Sequence, residues 1–287
     1  MYEGSILSTA AIATIPLVLW LGRHGTIFRP DWKVWTFAAG LIFACLLIPV
    51  GTSARTGLIC ILVLGVIMLR SVRYRFLYLG AAGIALMAAV PFLPQSFLDR
   101  MGTIGGYQGD QSASTRLAVW SWTIDYAVDH PLGGGFDAYR GNSFSYQTRE
   151  AVTTGALTTI ERTEVSEEGR AYHSSYFELL GEQGWIGLGL WLWLQVLGMW
   201  HMEKLRWRYG KRDEGHASWH RGLATALQQA QIVYLVGAAF VGIGYQPFIF
   251  MLVGFQCALW SYLNLHDRVD RKARFRPPGY KGEAASS

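Results

Sequence analysis

Ala171-Tyr172-His173-Ser174-Ser175-Tyr176-Phe177-Glu178-Leu179-Leu180-Gly181-Glu182-Gln183-Gly184-Trp185 joins two unlike stretches of chain. About eighty residues of polar, Gly-rich sequence precede it, and roughly twenty-five dominated by Leu, Trp, Gly and Ile follow. A titratable imidazole therefore stands where water ends and an apolar helix begins, and any group acting from there would face a lipid-carried substrate.

Of the 287 residues, 51% are hydrophobic and 14% aromatic, while only 16% are charged, against about a quarter in soluble domains. A hydrocarbon layer of about 30 Å requires long apolar helices. Runs of that kind occur near residues 5–21, 35–51, 56–69, 76–94, 176–200, 223–243 and 247–264. They predict an all-α polytopic membrane protein of about seven spans. The third run is the shortest, and snorkelling of Arg55 and Arg70 extends its reach. The division is four spans in 1–94, one large loop in 95–175, three spans in 176–264 and a basic tail in 265–287.

Short basic loops stay cytoplasmic. Arg23, Arg29 and Lys33 follow the first run, Arg70, Arg73 and Arg75 the third, Lys204 to Arg221 the fifth, and Arg268 to Lys281 the seventh. All four segments fall on one face of a seven-span count, which makes the 95–175 loop, between spans four and five, extracytoplasmic. That loop holds six Arg, no Lys and ten Asp or Glu. The net charge of +5 thus resides in cytoplasmic segments and does not indicate nucleic acid. The same count puts Met1 outside. No Lys or Arg precedes the first apolar run, so the basic region of a signal peptide is missing, and further spans are expected ahead of Met1 in a longer protein. Cys45, Cys60 and Cys257 fall inside apolar runs and are expected to pack as small apolar side chains.

Within the loop, Ser112 or Ser114 can cap a helix that runs to Val128 before Asp129-His130-Pro131 stops it. Leu117, Trp120, Ile124 and Val128 share one face at helical spacing, which suits a helix lying along the membrane surface. Pro131-Leu132-Gly133-Gly134-Gly135-Phe136 reads as a simple turn or as a close backbone approach to a ligand. Residues 141–170, rich in Ser, Thr, Gly and Glu, read as a mobile linker or lid.

Three residues stand out on the outer face: Arg55, Arg116 and His173. Each has a bland reading as an interfacial charge, a solvated charge or a structural imidazole. Arg55 is the only basic residue in its short outer loop, where a cation most naturally meets an anion. Guanidinium groups grip phosphate oxygens in bidentate fashion, and a neutral imidazole accepts a hydroxyl proton at working pH. Glu178 and Glu182, four residues apart on one helix face, either support His173 or pair structurally. His173, Glu178 and Glu182 match no recognised metal-ligand spacing.

Arg100-Met101-Gly102-Thr103-Ile104, Ser112-Ala113-Ser114-Thr115-Arg116-Leu117-Ala118-Val119-Trp120, His130-Pro131-Leu132-Gly133-Gly134-Gly135-Phe136 and the Tyr172-to-Gly184 segment, taken in order, resemble the O-antigen ligase and polymerase superfamily. Within it they look most like the O-glycosylation ligases of exosortase-associated systems. The resemblance runs from about residue 45 to 195. It implies metal-independent, cofactor-free, inverting transfer of a glycan from an undecaprenyl-diphosphate carrier, at the periplasmic face of a bacterial inner membrane, to a glycan, lipid or protein acceptor. It further implies that Arg55 and Arg116 hold the diphosphate and that His173 acts on the acceptor hydroxyl or organises the site. Two departures are visible. Family members often have Ser directly before the first Arg, where this chain has Ser53-Ala54-Arg55, and relatives commonly carry about ten to twelve spans. The competing expectations are a polymerase of the same superfamily, a transporter and a non-catalytic, truncated membrane subunit. A transporter would concentrate ionisable groups at mid-membrane, whereas here they gather at one interface.

Overall fold

A computed structural model of the chain describes residues 2–24, 27–69, 111–154, 157–210 and 218–274, with isolated positions between 74 and 87. The protein is mostly helical. Helices α1 (Tyr2–His24), α2 (Trp32–Gly51) and α3 (Arg55–Leu69) precede α4 (Gln111–Asp129). A 3-10 turn (Ala138–Gly141) and strands β1 (Ser143–Thr154) and β2 (Leu157–Glu168) lead to α5 (Ser175–Gly210), α6 (Ser218–Ala238) and α7 (Pro247–Arg274). The expected span near 76–94, apart from those isolated positions, and the Arg100–Ile104 motif lie outside the described residues.

Three described helical stretches are long and apolar enough to cross a membrane, Gly4–His24, Trp32–Gly51 and Pro247–Val269, and α3 is apolar but shorter. Two further expected spans, in α5 and α6, are diluted in apolarity by Trp, Gly and inward-facing Gln. α6 is the centre of the bundle, packing against α1, α3, α5 and α7. Its Ala230, Val233 and Tyr234 join Ile12, Cys60, Leu205 and Leu252 in one buried cluster. Cys45 is buried as well, while Cys257 lies exposed on α7.

Within this core three glutamines form a chain. Gln231 Nε2 donates to the Gln195 side-chain oxygen (2.8 Å) and backbone carbonyl (3.0 Å), and Gln256 Nε2 donates to Gln231 Oε1 (2.8 Å). The chain pins α5, α6 and α7 in register, each such bond in a membrane being worth about 0.6 kcal/mol.

Cross-helix contacts sort the helix ends into two groups. Ser8 Oγ lies 3.3 Å from Thr52 Oγ1, Thr9 packs against Gly237, and Ser175 Oγ donates to the Val241 carbonyl while accepting from Ile243 N–H, both at 2.8 Å. The start of α1, the α2–α3 turn, the start of α5 and the α6–α7 connection therefore share one end. At the far end Trp20 Nε1 donates to the Trp219 carbonyl (3.1 Å) and Arg208 pairs with Asp267 (3.3 Å). Arg23, in the last turn of α1, and Arg221, beside Gly210, lie at that end.

α5 outruns the expected 176–200. Beyond Trp200 the chain leaves the purely apolar run yet stays helical, supported by a Glu203–Arg206 ion pair (2.5 Å) and by the Lys204 ammonium over the Trp200 ring (3.7 Å). α5 is also broken. Gly184 adopts φ 65°, ψ −166°, and the backbone groups freed there are taken up by the glycine-rich loop. Gly134 N–H donates to the Gly181 carbonyl (2.9 Å), Gly135 N–H to the Glu182 carbonyl (2.9 Å) and Trp185 N–H to the Pro131 carbonyl (3.1 Å). A Cβ at Gly133 would overlap the Glu182 carbonyl, and one at Gly184 the Pro131 carbonyl. Residues 131–136 are thus a close backbone approach, made to the protein's own helix.

The 141–170 segment, expected as a linker or lid, forms an antiparallel ribbon with Ser143 opposite Glu168 and Thr154 opposite Leu157. Its Thr, Val and Ile content favours extended backbone. A two-stranded ribbon alone is marginal in water, and Asn142 closes its base. That side chain is 1% exposed; its Nδ2 donates to the Arg170 carbonyl (2.7 Å) and its Oδ1 accepts from Arg170 N–H (2.9 Å). The helix expected from Ser112 or Ser114 begins at Gln111, so both serines lie inside its first turn, and its end at Asp129 is as expected.

Gly184→Ala should lower the thermal midpoint of the detergent-solubilised protein and speed protease cleavage near residue 133. At φ 65°, ψ −166°, a region essentially confined to glycine, an alanine costs about 1–3 kcal/mol before any overlap is counted. Gly189→Ala, with open space around it, should leave both measurements unchanged or slightly improved.

Candidate functional site

At the end shared by the α2–α3 turn and the start of α5, α4 lies against the chain that leads into α5. Trp120 stacks on Phe177 with ring centroids 4.8 Å apart and planes 5° from parallel, and its Nε1 donates to the Tyr172 carbonyl (2.8 Å). Val119, Thr123 and Ala127 are fully buried beside it. Leu117, Ile124 and Val128 remain exposed. The expected apolar face of α4 therefore splits: Trp120 turns inward with the small buried residues, and the other three face outward.

His173 is fixed from both sides. Tyr172 is held by Trp120, and the Ser174 carbonyl accepts from Glu178 N–H (2.9 Å), starting α5. Between them His173 sits at φ 52°, a left-handed conformation costing about 1–2 kcal/mol for a residue with a Cβ. Outliers of this kind persist where the surroundings over-determine them. The ring is half-buried. Burial, followed by the guanidinium charges of Arg116 and Arg170, pushes its pKa down to about 4. The imidazole is neutral at pH 7.

Arg116 reaches this point from the first turns of α4. Its Nε is buried with no hydrogen-bond partner among the described residues. Arg170 arrives from the base of the ribbon, anchored by Asn142 and by an ion pair to Glu167. Sequence reasoning missed Arg170, although it stands three residues before His173; its position follows from the ribbon, which no spacing rule exposed. Arg55 is the first residue of α3, following a tight turn in which Ser53 takes φ 51° and Ala54 N–H donates to the Pro49 carbonyl (2.9 Å). The structure thus joins Arg116 electrostatically to His173 and sets Arg55 at the same bundle end, on the α1 side.

Glu178 and Glu182 have another occupation. Glu178 Oε2 accepts from Gly244 N–H (3.3 Å), in the α6–α7 connection. Glu182, 6% exposed, accepts from Asp137 N–H (3.0 Å) and interacts with the Tyr245 hydroxyl. Both carboxylates hold backbone around the site, and neither forms an ion pair with an arginine among the described contacts. Tyr172 lies beneath them, 3% exposed, its hydroxyl without a described partner against Gly181. Among the described residues no three His, Cys, Asp or Glu side chains converge to hold a metal ion.

The arrangement offers clustered guanidinium charge beside a neutral imidazole, where α5 enters the apolar bundle. Its chemistry suits an anion carrying a group to be transferred. Comparison with known proteins gives two family matches. Residues 39–192 match the family described as O-antigen ligase, and residues 1–26 match a family of unknown function (DUF5935). No curated protein and no solved structure matches the chain. The first match runs from α2 through the first half of α5, taking in Arg55, Arg116, the docked glycine loop and His173. Because it covers more than half of the residues, the chain belongs to the O-antigen ligase family.

Proposed function

We propose that this protein transfers a glycan from an undecaprenyl-diphosphate carrier to an acceptor hydroxyl, at the bundle end that carries Arg55, Arg116 and His173. Family membership supports glycosyl transfer of the ligase or polymerase type. The observation that carries the finer reading is the Arg116–His173 juxtaposition: a buried guanidinium Nε without a described partner, next to an imidazole kept neutral.

The acceptor oxygen attacks the anomeric carbon from the face opposite the diphosphate, the bond from that carbon to the diphosphate oxygen breaks, and the configuration inverts. His173 takes the hydroxyl proton. Undecaprenyl diphosphate leaves as an anion, its charge met by Arg116 and Arg55, while Arg170 adds positive potential. Bound diphosphate also offsets the guanidinium charges around His173, raising its pKa from about 4 toward the range where a general base works best. The step requires no metal or cofactor. Exposed Leu117, Ile124 and Val128 suit an α4 lying at headgroup depth, which would bring the lipid carrier to Arg116. The acceptor is a glycan, lipid or protein, as in the exosortase-associated ligases that the motifs resemble. A second lipid-linked glycan in that role would make the enzyme a polymerase, and chain-length analysis of the product separates the two.

The proposal places the site in the periplasm of a bacterial inner membrane. In a background lacking Cys45, Cys60 and Cys257, Glu150→Cys should react with an impermeant maleimide from the periplasm and Arg212→Cys only after the cytoplasmic face is opened. The reverse pattern would put the carrier on the wrong side.

Arg116→Lys should keep the charge yet lose most transfer, because an ammonium cannot reproduce the guanidinium fork. Wild-type turnover at equal membrane levels would make Arg116 a solvated charge only.

His173→Ala should insert normally and transfer glycan roughly 10²–10⁴-fold more slowly, the usual contribution of a general base. An inactive His173→Gln that still binds donor points to proton transfer, and an active one to a role in organising the site. The pH profile adds an independent reading. Since the native ring is held below its ordinary value, the neutral base persists as pH falls from 7 through 6.5 and is lost only near 4. The acid limb of kcat/KM, which reports the free enzyme, should therefore lie well below pH 6; a midpoint at 6.5 would show an unperturbed, solvated imidazole.

A further inference from the structure

We propose that the far end of the bundle binds an anionic phospholipid, with its phosphate among the guanidiniums of Arg206, Arg208 and Arg221 and an acyl chain laid along the outer face of α5. An open hollow there is lined by Arg206, Trp207, Arg208, Gly210 and Arg221. The described lining residues include three cations and one indole, and Glu203 and Asp267 pair with Arg206 and Arg208 at its edge. In their described bonds Arg206 and Arg208 use Nη1 alone: Arg206 to Glu203 (2.5 Å) and Gln228 (2.7 Å), Arg208 to Asn264 (2.7 Å) and Asp267 (3.3 Å). Arg206 Nε is also buried without a described partner. These pairings fix both guanidiniums in place and leave the Nη2 group of each outside the described bonds, while the buried Arg206 Nε stays out of a ligand's reach. Arg221, in the first turn of α6, approaches through the gap at Gly210. A phosphodiester matches such a cluster because guanidinium N–H groups meet phosphate oxygens in pairs.

The second observation is the surface that leads to the hollow. Ile186, Trp193, Trp200 and Trp207 recur every seven residues and therefore share one face of α5. All four are exposed, Trp193 by 65% and Trp207 by 74%. This apolar stripe runs from the kink at Gly184 down to the hollow, where Trp207 is both its last member and part of the lining. A free phosphate would use the hollow and leave the stripe bare. An anionic glycerophospholipid uses both, and basic pockets between membrane helices commonly take such headgroups. The site lies at the end opposite His173, so it is separate from the proposed transfer site.

Native mass spectrometry of the purified full chain, titrated with phosphatidylglycerol or with phosphatidylcholine of the same acyl chains, tests the proposal. One phosphatidylglycerol should be retained in preference to phosphatidylcholine. Arg221→Gln should weaken that retention about fivefold, as expected for one basic residue at a membrane surface, and Arg221→Lys should weaken it less. Trp207→Ala, at an exposed position where folding is not at stake, should weaken retention through the lost chain contact and serves if Arg221→Gln misfolds. Equal retention of the two lipids, or unchanged retention in both Arg221→Gln and Trp207→Ala, would overturn the proposal. So would displacement of phosphatidylglycerol by millimolar inorganic phosphate, which would leave a headgroup anion site without a lipid.

Discussion

The interrupted turn at Gly184 is the constraint on which the rest depends. A helix that breaks near the membrane leaves carbonyls and N–H groups that lipid cannot satisfy. Here the backbone of Pro131–Gly135 supplies them, with the Gly181 and Glu182 carbonyls accepting and Trp185 N–H donating. The exchange is main chain to main chain, so it demands residues without Cβ on both sides, Gly133 in the loop and Gly184 in the helix. It welds the polar segment to α5. Trp120 on Phe177 and the Asn142 clasp then set Arg116 and Arg170 relative to that weld.

A second set of contacts fixes the orientation of the welded unit within the bundle. Ser175 bridges the Val241 carbonyl and Ile243 N–H, Glu178 receives Gly244 N–H, and the Trp191 indole donates to the Gly244 carbonyl (3.1 Å). The α6–α7 connection, a stretch of irregular backbone at an apolar end, thus has its polar groups met by side chains of α5. The glutamine chain repeats this coupling deeper in the core. His173, two residues before Ser175, inherits its position from these bonds, and its left-handed backbone conformation persists because the chain on either side is held.

Much of this was legible in the sequence where a single segment decides the outcome. The apolar runs gave α1, α2 and α7 as membrane-length helices, and Asp129-His130-Pro131 gave the end of α4, because length, apolarity and helix-stopping residues are local properties. The ribbon was missed because low apolarity and abundant Ser and Thr describe mobile linkers and exposed strands alike. What separates them is pairing across the ribbon and the Asn142 clasp. The docked glycine loop was narrowed only to a turn or a close approach, since its partner lies about fifty residues downstream. Glu178 and Glu182 were narrowed only to supporting His173 or pairing structurally, since their partners are the backbone N–H groups of Gly244 and Asp137, which carry no residue-type signature. Arg170 was invisible for the same reason: its significance is its position at the foot of the ribbon.

The arginines show why residue type alone leaves function open. Arg206 and Arg208 are bound to Glu203 and Asp267, with Trp260 under the Arg208 guanidinium and Trp207 alongside. Arg116 has no carboxylate among its described contacts and adds its charge to the burial that lowers the pKa of His173. Arg170, the second guanidinium acting on His173, is paired with Glu167, so Arg116 is the one of the two whose charge no described carboxylate offsets. Burial is the first cause of the depressed imidazole pKa and the neighbouring guanidiniums the second, so residue type alone, without depth and neighbours, could not have revealed it.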